Sequence, residues 1–341
     1  MTASNNERYS ADIGDGRDIK LVPDPNREKL NQKQLIDYVE HRRRWITWLR
    51  EQGKNPEKYE GYSSYTVYET SYKTVRFDRW VWDEENRYTV PPKPERASEY
   101  IDDVVVYRDI SNSTKGKIEE ALIRYMRWAS QTSHVAEWDH DQLFRSGGGD
   151  APRDYLTRRE RRLVREQALA GDDTGWKVAT IVCVSLDAGL RPVEVGRART
   201  GWIDTVNKLL RIPREDSSKN ANNWRVSITS RTATALDHWL AERDGIDKYD
   251  DTDKLWLTRQ ATAYNSRSLA RLLRTLCEDA GIDMGGRQMT WYSIRHSIGT
   301  YMTAERDLKA AKDQLRHESA KTTMKYDQTP PDQRRDALDQ M

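Results

Sequence analysis

Two arginines, a histidine and a tyrosine occur in that order in the carboxy-terminal part of the chain, and together they have the chemistry to hold and attack one phosphodiester. They lie in Gly189-Leu190-Arg191-Pro192-Val193-Glu194, in Tyr292-Ser293-Ile294-Arg295-His296 and in Leu315-Arg316-His317, with Tyr326 nine residues beyond that histidine. A planar guanidinium grips two non-bridging oxygens at once. A phenol can attack phosphorus and hold it covalently. The histidines and cysteines show no metal-ligand spacing, and no carboxylate cluster accompanies the arginines. Charge stabilisation is therefore expected from side chains, with neither metal nor cofactor.

Arg191 and Arg295 are expected to clamp the phosphate from separate helices, where its transition state gains negative charge. Gly189 ends one helix and Pro192 opens the next at its favoured first position, so Arg191 stands at a helix entrance. Glu194, one turn on, is expected to orient the arginines by hydrogen bonding.

This set of motifs resembles the tyrosine recombinase (phage-type integrase) family, of the Xer-like site-specific kind. The family's pattern is an arginine in R-x-x-E, a lysine on a β-hairpin, H-x-x-R-H, L-G-H and a tyrosine shortly after. Arg191 and Glu194 match the first motif, Arg295 and His296 the second, His317 and Tyr326 the last two. The resemblance is good from about Thr157 onward and weaker before it. It implies that Tyr326 is the nucleophile, forming a 3′-phosphotyrosyl bond and freeing a 5′ hydroxyl, so that strands rejoin without ATP or metal. It implies that His317 donates a hydrogen bond to a non-bridging oxygen. The hairpin lysine that would protonate the departing 5′ oxygen is matched best by Lys219, in the turn-rich Ser217–Asn223, with Lys208 as the fallback. Two positions depart from the pattern. Tyr292 replaces the usual histidine three residues before Arg295, and a phenol is a poor proton acceptor near neutral pH. His296 is then read as a structural histidine that can contribute. Arg316 replaces the glycine of L-G-H, a departure the pattern tolerates if Arg316 points outward.

At 341 residues the chain is long enough for two domains with cores of their own. Charged residues make up 33% of it, and mean hydropathy is -0.96. No apolar run approaches bilayer length and no signal peptide is recognisable, which points to a cytoplasmic, nucleoid-associated protein. Cys183 and Cys277 are expected to be buried thiols in a reducing compartment. A net charge of +2 is not in itself a nucleic-acid footprint. Local clusters matter more, since binding neutralises phosphates one by one. Arg42, Arg43 and Arg44 form one such cluster, and Arg158, Arg159 and Arg162 lie in another. All six are read as DNA-binding residues.

The elements that must position these groups follow from periodicity and punctuation. Residues 1–28 are polar and broken by Gly and Pro, and read as a flexible tail. Apolar spacing predicts helices over Asn31–Glu51, from Ser63/Ser64 to about Glu84, near Ala97–Tyr107 and over Thr114–Ser130. Residues 29–144 are thus an all-helical core-DNA-binding domain, whose aromatic stripes are read as core. Residues 145–152, with three consecutive glycines, are the linker. Thr157 and Glu160 fit a capping box that opens the catalytic domain, 153–341. Within it, short strands are expected at 202–204, 209–213 and 224–228, between helices at 176–186, 233–243, 266–280, 292–304 and 308–315. A tail, 327–341, ends the chain and in relatives docks on a neighbouring protomer.

The expected fold is mainly α with a small β-sheet in the catalytic domain, two lobes clamping duplex DNA. The expected activity is site-specific recombination or integration, of the kind mobile elements use, by a tetramer on paired double-stranded sites. A type IB topoisomerase and a catalytically impaired DNA-binding regulator are the alternatives.

Overall fold

The computed structural model of the chain describes residues 9–14, 18–144, 154–171, 175–218, 222–326, 334–335 and 338–340. The chain divides into two compact units, 1–149 and 150–341. The division falls within 145–152, whose own residues lie outside the described ones, as do Lys219 and most of the 327–341 segment. Among the described residues no helix is long and apolar enough to cross a membrane.

The first unit opens with an antiparallel hairpin, β1 (Ser10–Asp12) and β2 (Asp18–Lys20), in which Ala11 faces Ile19. A short helix α1 (Asp24–Arg27) follows. The bundle is then α2 (Gln32–Glu51), α3 (Ser64–Glu85), α4 (Pro94–Glu99), which runs into a π-helical turn over Tyr100–Val105, and α5 (Asn112–Thr132). Caps set the helix starts. Asn31 and Gln34 form a reciprocal capping box on α2, and the Ser63 hydroxyl accepts from the Thr66 amide on α3.

Over the described residues 9–14 and 18–28, the hairpin replaces the flexible tail expected for 1–28. Ile13, Ile19, Leu21 and Val22 are all buried in the bundle core. Apolar residues at 19, 21 and 22 beside short β-strands gain more from burial than the Gly and Pro punctuation costs. The aromatic stripes are core, as expected, with Tyr38, Trp45, Phe77, Tyr125 and Trp128 buried together.

A second correction concerns Arg42, which is fully buried. Its guanidinium donates to Leu21 O at 3.3 Å, Thr74 Oγ1 at 2.9 Å and Ser71 O at 2.9 Å. It therefore ties the hairpin to α3 and is not available to DNA. Nearby, Asp78 accepts from Tyr38 Oη at 2.7 Å and Tyr125 Oη at 2.9 Å. Burial pushes its carboxyl up to about 6, against the pull of Arg42. Arg43 and Arg44 are exposed, with Arg43 3.7 Å from Glu40. Arg42→Ala should cost on the order of 3 kcal/mol in denaturant unfolding of the whole chain, because it strands buried acceptors. Arg43→Ala and Arg44→Ala should stay within about 0.5 kcal/mol of the parent.

The second unit contains α6 (Arg158–Ala170), α7 (Gly175–Ala188), α8 (Pro192–Arg197), α9 (Ser230–Arg243), α10 (Ser266–Asp279), α11 (Trp291–Glu305), α12 (Leu308–Leu315) and α13 (Ala320–Met324). A three-stranded antiparallel sheet, β3 (Ile203–Asp204), β4 (Leu209–Ile212) and β5 (Trp224–Ser227), lies between α8 and α9 in sequence. The capping box of Thr157 and Glu160 starts α6. Helix α7 is buried along most of its length, from Ala179 to Leu186, so it is the hub on which α6, α9 and α11 pack. Cys183 and Cys277 are both buried thiols.

Candidate active site

The site is assembled from three chain turns. The first follows α7, where Gly189 adopts φ +57°. A Cβ there would meet Leu315 Cδ2 at 2.8 Å, so glycine is needed both for backbone and for space. Arg191 then caps α8. Glu194, in the first turn of α8, accepts from the Arg191 amide at 2.8 Å and from Arg191 Nη1 at 3.0 Å. The sequence reading had Glu194 orienting an arginine, and this pair does so locally.

The second turn is the buried face of α11. Arg295 is 2% exposed and donates Nη1 to Gly189 O at 2.6 Å, with Nη2 on Leu315 O. The third follows α12, where the chain reverses at Arg316 with φ +58°. The amide of Arg316 returns to Asp313 O at 3.2 Å and that of His317 to Lys312 O at 3.0 Å. This is the left-handed helix end that glycine usually occupies, and a side chain there costs about 1 kcal/mol.

Arg316 does not meet the condition of pointing outward. Its guanidinium is buried and donates Nη1 to Ala188 O at 2.7 Å and Nη2 to Glu194 Oε2 at 2.7 Å. The acceptors turn it inward: a carboxylate and two helix-end carbonyls offer more than water does, once charge-assisted bonds form. Three guanidiniums, Arg191, Arg295 and Arg316, therefore surround the single carboxylate of Glu194. Burial raises that carboxyl, but Arg316, Arg191 and Arg295 outweigh burial and hold it at about 2. Burial and the neighbouring Arg316 and Arg191 lower Arg295 to about 9, so it stays cationic at neutral pH. The Arg191 and Arg316 guanidiniums line a cleft together with Glu194 and Glu318, while Arg295 donates both Nη atoms to backbone carbonyls.

That cleft has a volume of about 60 Å³ and is lined by Arg191, Glu194, Ser217, Trp224, Arg316 and His317 among others. His317 is 5% exposed, and its Nδ1 lies 2.9 Å from Thr323 Oγ1. Burial, then Arg295 and Arg191, lower its pKa to about 3, so it is neutral in ordinary buffers. Thr323, on α13, escaped the sequence reading. So did α13 itself, whose five residues are too few for a periodic pattern.

Tyr326 follows α13 and is 4% exposed, packed with Ile298 and Leu315. Its hydroxyl is 2.9 Å from His296 Nδ1. Its ring lies 5.7 Å from that of His296 and stacks on that of His317 at 6.1 Å, centroid to centroid. Gly299 makes the room, since a Cβ there would stand 2.6 Å from the Tyr326 ring. No local signal in the sequence marks Gly299. Tyr292 is 41% exposed, with its ring stacked 6.2 Å from that of His296.

The structure thus brings Arg191, Glu194, Arg295, His296, His317 and Tyr326 together and adds Arg316. Lys219 lies outside the described residues. Of the basic residues on α6, Arg159 is exposed, Arg162 is exposed 3.8 Å from Glu166, and Arg158 pairs with Glu305 while lying 4.6 Å over the Tyr301 ring. Arg161 turns inward instead, to Ser297 Oγ at 2.5 Å and Leu186 O at 2.9 Å. Among the described residues no group of three or more His, Cys, Asp and Glu side chains gathers to hold a metal.

Comparison with known proteins places this geometry. The fold is similar to that of the XerH site-specific recombinase bound to palindromic difH substrate, with a TM-score of 0.62 at 14% identity, over 87% of this chain and 85% of that one. It is also similar to the Tn1549 transposon integrase in complex with transposon right end DNA, with a TM-score of 0.58 at 14% identity, over 80% and 93% of the two chains. A lambda integrase dimer bound to a COC′ core site gives 0.56 at 12% identity, over 88% and 81%. At such identities these likenesses speak for the fold alone. No curated protein matches the sequence. The sequence itself matches the phage integrase family over residues 158–332, more than half of the chain, and every motif residue of the site described above lies within that span. With two arginines, a histidine and a tyrosine meeting there in the family's order, the chain belongs to the phage integrase family of tyrosine recombinases.

Proposed function

We propose that this protein is a site-specific DNA recombinase or integrase that cuts and rejoins strands through a covalent bond between Tyr326 and a 3′ phosphate. The observation that carries this reading is the convergence of Arg191 and Arg316 on the Glu194 carboxylate, with the charge of Arg295 close by and His317 stacked on Tyr326. The guanidiniums of this cluster outnumber its carboxylate, which suits a phosphodiester that passes through a doubly charged pentacovalent transition state.

Arg191 and Arg295 would grip the non-bridging oxygens. His317, neutral, would add a third donor: when Nδ1 accepts from the Thr323 hydroxyl, the proton sits on Nε2 and faces outward. Tyr326 is buried, but it already stands beside the groups that hold the phosphate, with His317 against its ring and the charge of Arg295 close by. Lys219 is the candidate acid for the departing 5′ oxygen. The phosphotyrosyl ester conserves the energy of the broken bond, so rejoining needs neither ATP nor metal. DNA would be bound chiefly through phosphates, with Arg43, Arg44, Arg158, Arg159 and Arg162 contributing. Two paired sites would require four protomers, one for each strand cut.

The test uses a pool of nicked duplex oligonucleotides of randomised sequence, in which cleavage releases a short fragment and traps the protein. A denaturation-resistant adduct is expected, with the DNA mapped to the peptide carrying Tyr326. Sequencing of the trapped duplexes then identifies the site. Exchange between two such sites supports a recombinase. Plasmid relaxation without exchange supports a type IB topoisomerase, and binding without an adduct supports a regulator.

A further inference from the structure

We infer that His296 is the proton acceptor for Tyr326, a role moved one helical turn along α11 from the position where relatives carry a histidine. The inference rests on the nucleophile assignment above and deepens it. At the earlier position Tyr292 cannot serve, since a phenol near neutral pH takes up no proton. Its ring is stacked on His296 at 6.2 Å, and it is 41% exposed. Residues 292 and 296 are four apart, so they lie on the same helix face. What the first position lacks, the second supplies beside the Tyr326 hydroxyl.

The geometry is specific. His296 is 6% exposed, and its Nδ1 lies 2.9 Å from the hydroxyl it would deprotonate. This is the distance at which a general base accepts directly, without a bridging water. The contact is held from both sides. The Gly299 notch seats the Tyr326 ring, and His317 stacks on that ring at 6.1 Å. In the tautomer protonated on Nε2, the Nδ1 lone pair points at the phenol.

The step balances as follows. The Tyr326 oxygen forms its bond to phosphorus while its proton passes to His296 Nδ1. The bond from phosphorus to the 5′ oxygen breaks, and that oxygen takes a proton from the acid for which Lys219 is the candidate. In rejoining, the 5′ hydroxyl attacks the ester, the acid recovers its proton, and His296 returns its own to the phenol.

The test is His296→Asn. An asparagine oxygen can stand where Nδ1 stands and accept the Tyr326 hydrogen bond, but it takes up no proton. The probe is the nicked duplex recovered from the randomised pool. The variant is expected to bind that duplex as the parent does and to form the adduct about 100-fold more slowly. Adding the family's histidine back, in Tyr292→His/His296→Asn, is expected to recover at least about a tenth of the parent rate, which loss of packing alone would not allow. His296→Gln serves in its place should the Asn variant fail to bind DNA. A variant that binds and cleaves at the parent rate would overturn the inference while leaving the nucleophile standing. So would one that cleaves faster, since His296 would then be restraining the tyrosine. A slow single variant that Tyr292→His does not improve also overturns it. If the parent itself gives no adduct, the nucleophile reading falls, and this inference with it.

Discussion

Tyr326→Phe is expected to form no covalent adduct with the nicked duplex while binding it with parental affinity. The substitution removes one oxygen and nothing else from a ring packed with Ile298 and Leu315 and stacked on His317. The proposed phosphate grip is assigned to Arg191, Arg295 and His317, which are held by Glu194, Gly189 O and Thr323. The variant gives up the buried hydrogen bond to His296 at 2.9 Å, so a loss of about 1 kcal/mol in denaturant unfolding is expected. The measurements are adduct yield on a denaturing gel, Kd by gel shift and an unfolding curve on one preparation. Parental adduct yield from Tyr326→Phe would remove Tyr326 from the chemistry and transfer the search to the chain's other tyrosines, 17 in all with Tyr326 itself.

The second large effect is expected at Glu194, as a loss of stability on the order of 3 kcal/mol for Glu194→Gln at neutral pH. Its carboxylate is the shared counterion of Arg191 and Arg316, at 3.0 and 2.7 Å. Without it the buried guanidiniums of Arg295 and Arg316 and the half-buried one of Arg191 repel one another, and Arg191 loses the partner that aims it. Adduct formation should fall with stability, and sulfate or phosphate should restore part of the stability by replacing the lost anion. The pH dependence has a definite sign. The folded carboxyl titrates at about 2, below its ordinary 4.5, so its contribution is complete above pH 4.5 and is lost as pH falls toward 2. A protonated Glu194 resembles glutamine, so parent and variant should converge over that window. A gap that stays constant from neutral pH down to pH 2 would show that the carboxylate is not the counterion.

Much of this site was legible because its parts are local. Arg191 and Glu194 are one turn apart, and the bond between them is an ordinary helix-start pairing. Helix starts were legible at Asn31, Ser63 and Thr157, where a side chain caps amides two or three residues away. Arg42 was misread although the clue was present. Tyr38, Arg42, Trp45 and Leu49 recur at helical spacing, which places the arginine on the apolar stripe of α2. The residue type suggested DNA, and its position specified the core. The amino-terminal hairpin was missed because three-residue strands carry too little alternation to be told from loop.

The order and spacing of chemical groups along the chain were enough, on their own, to define the family, since short-range spacing survives in the sequence unchanged. The inward turn of Arg316 and the approach of His296 to Tyr326 were decided only by the tertiary structure. Arg316 reaches acceptors 122 and 128 residues earlier, and His296 meets a hydroxyl 30 residues later. Such contacts depend on how α7, α8, α11 and α12 pack, and burial makes them strong. A guanidinium or imidazole removed from water must find a partner wherever the packed core offers one, and a linear pattern does not say where that is.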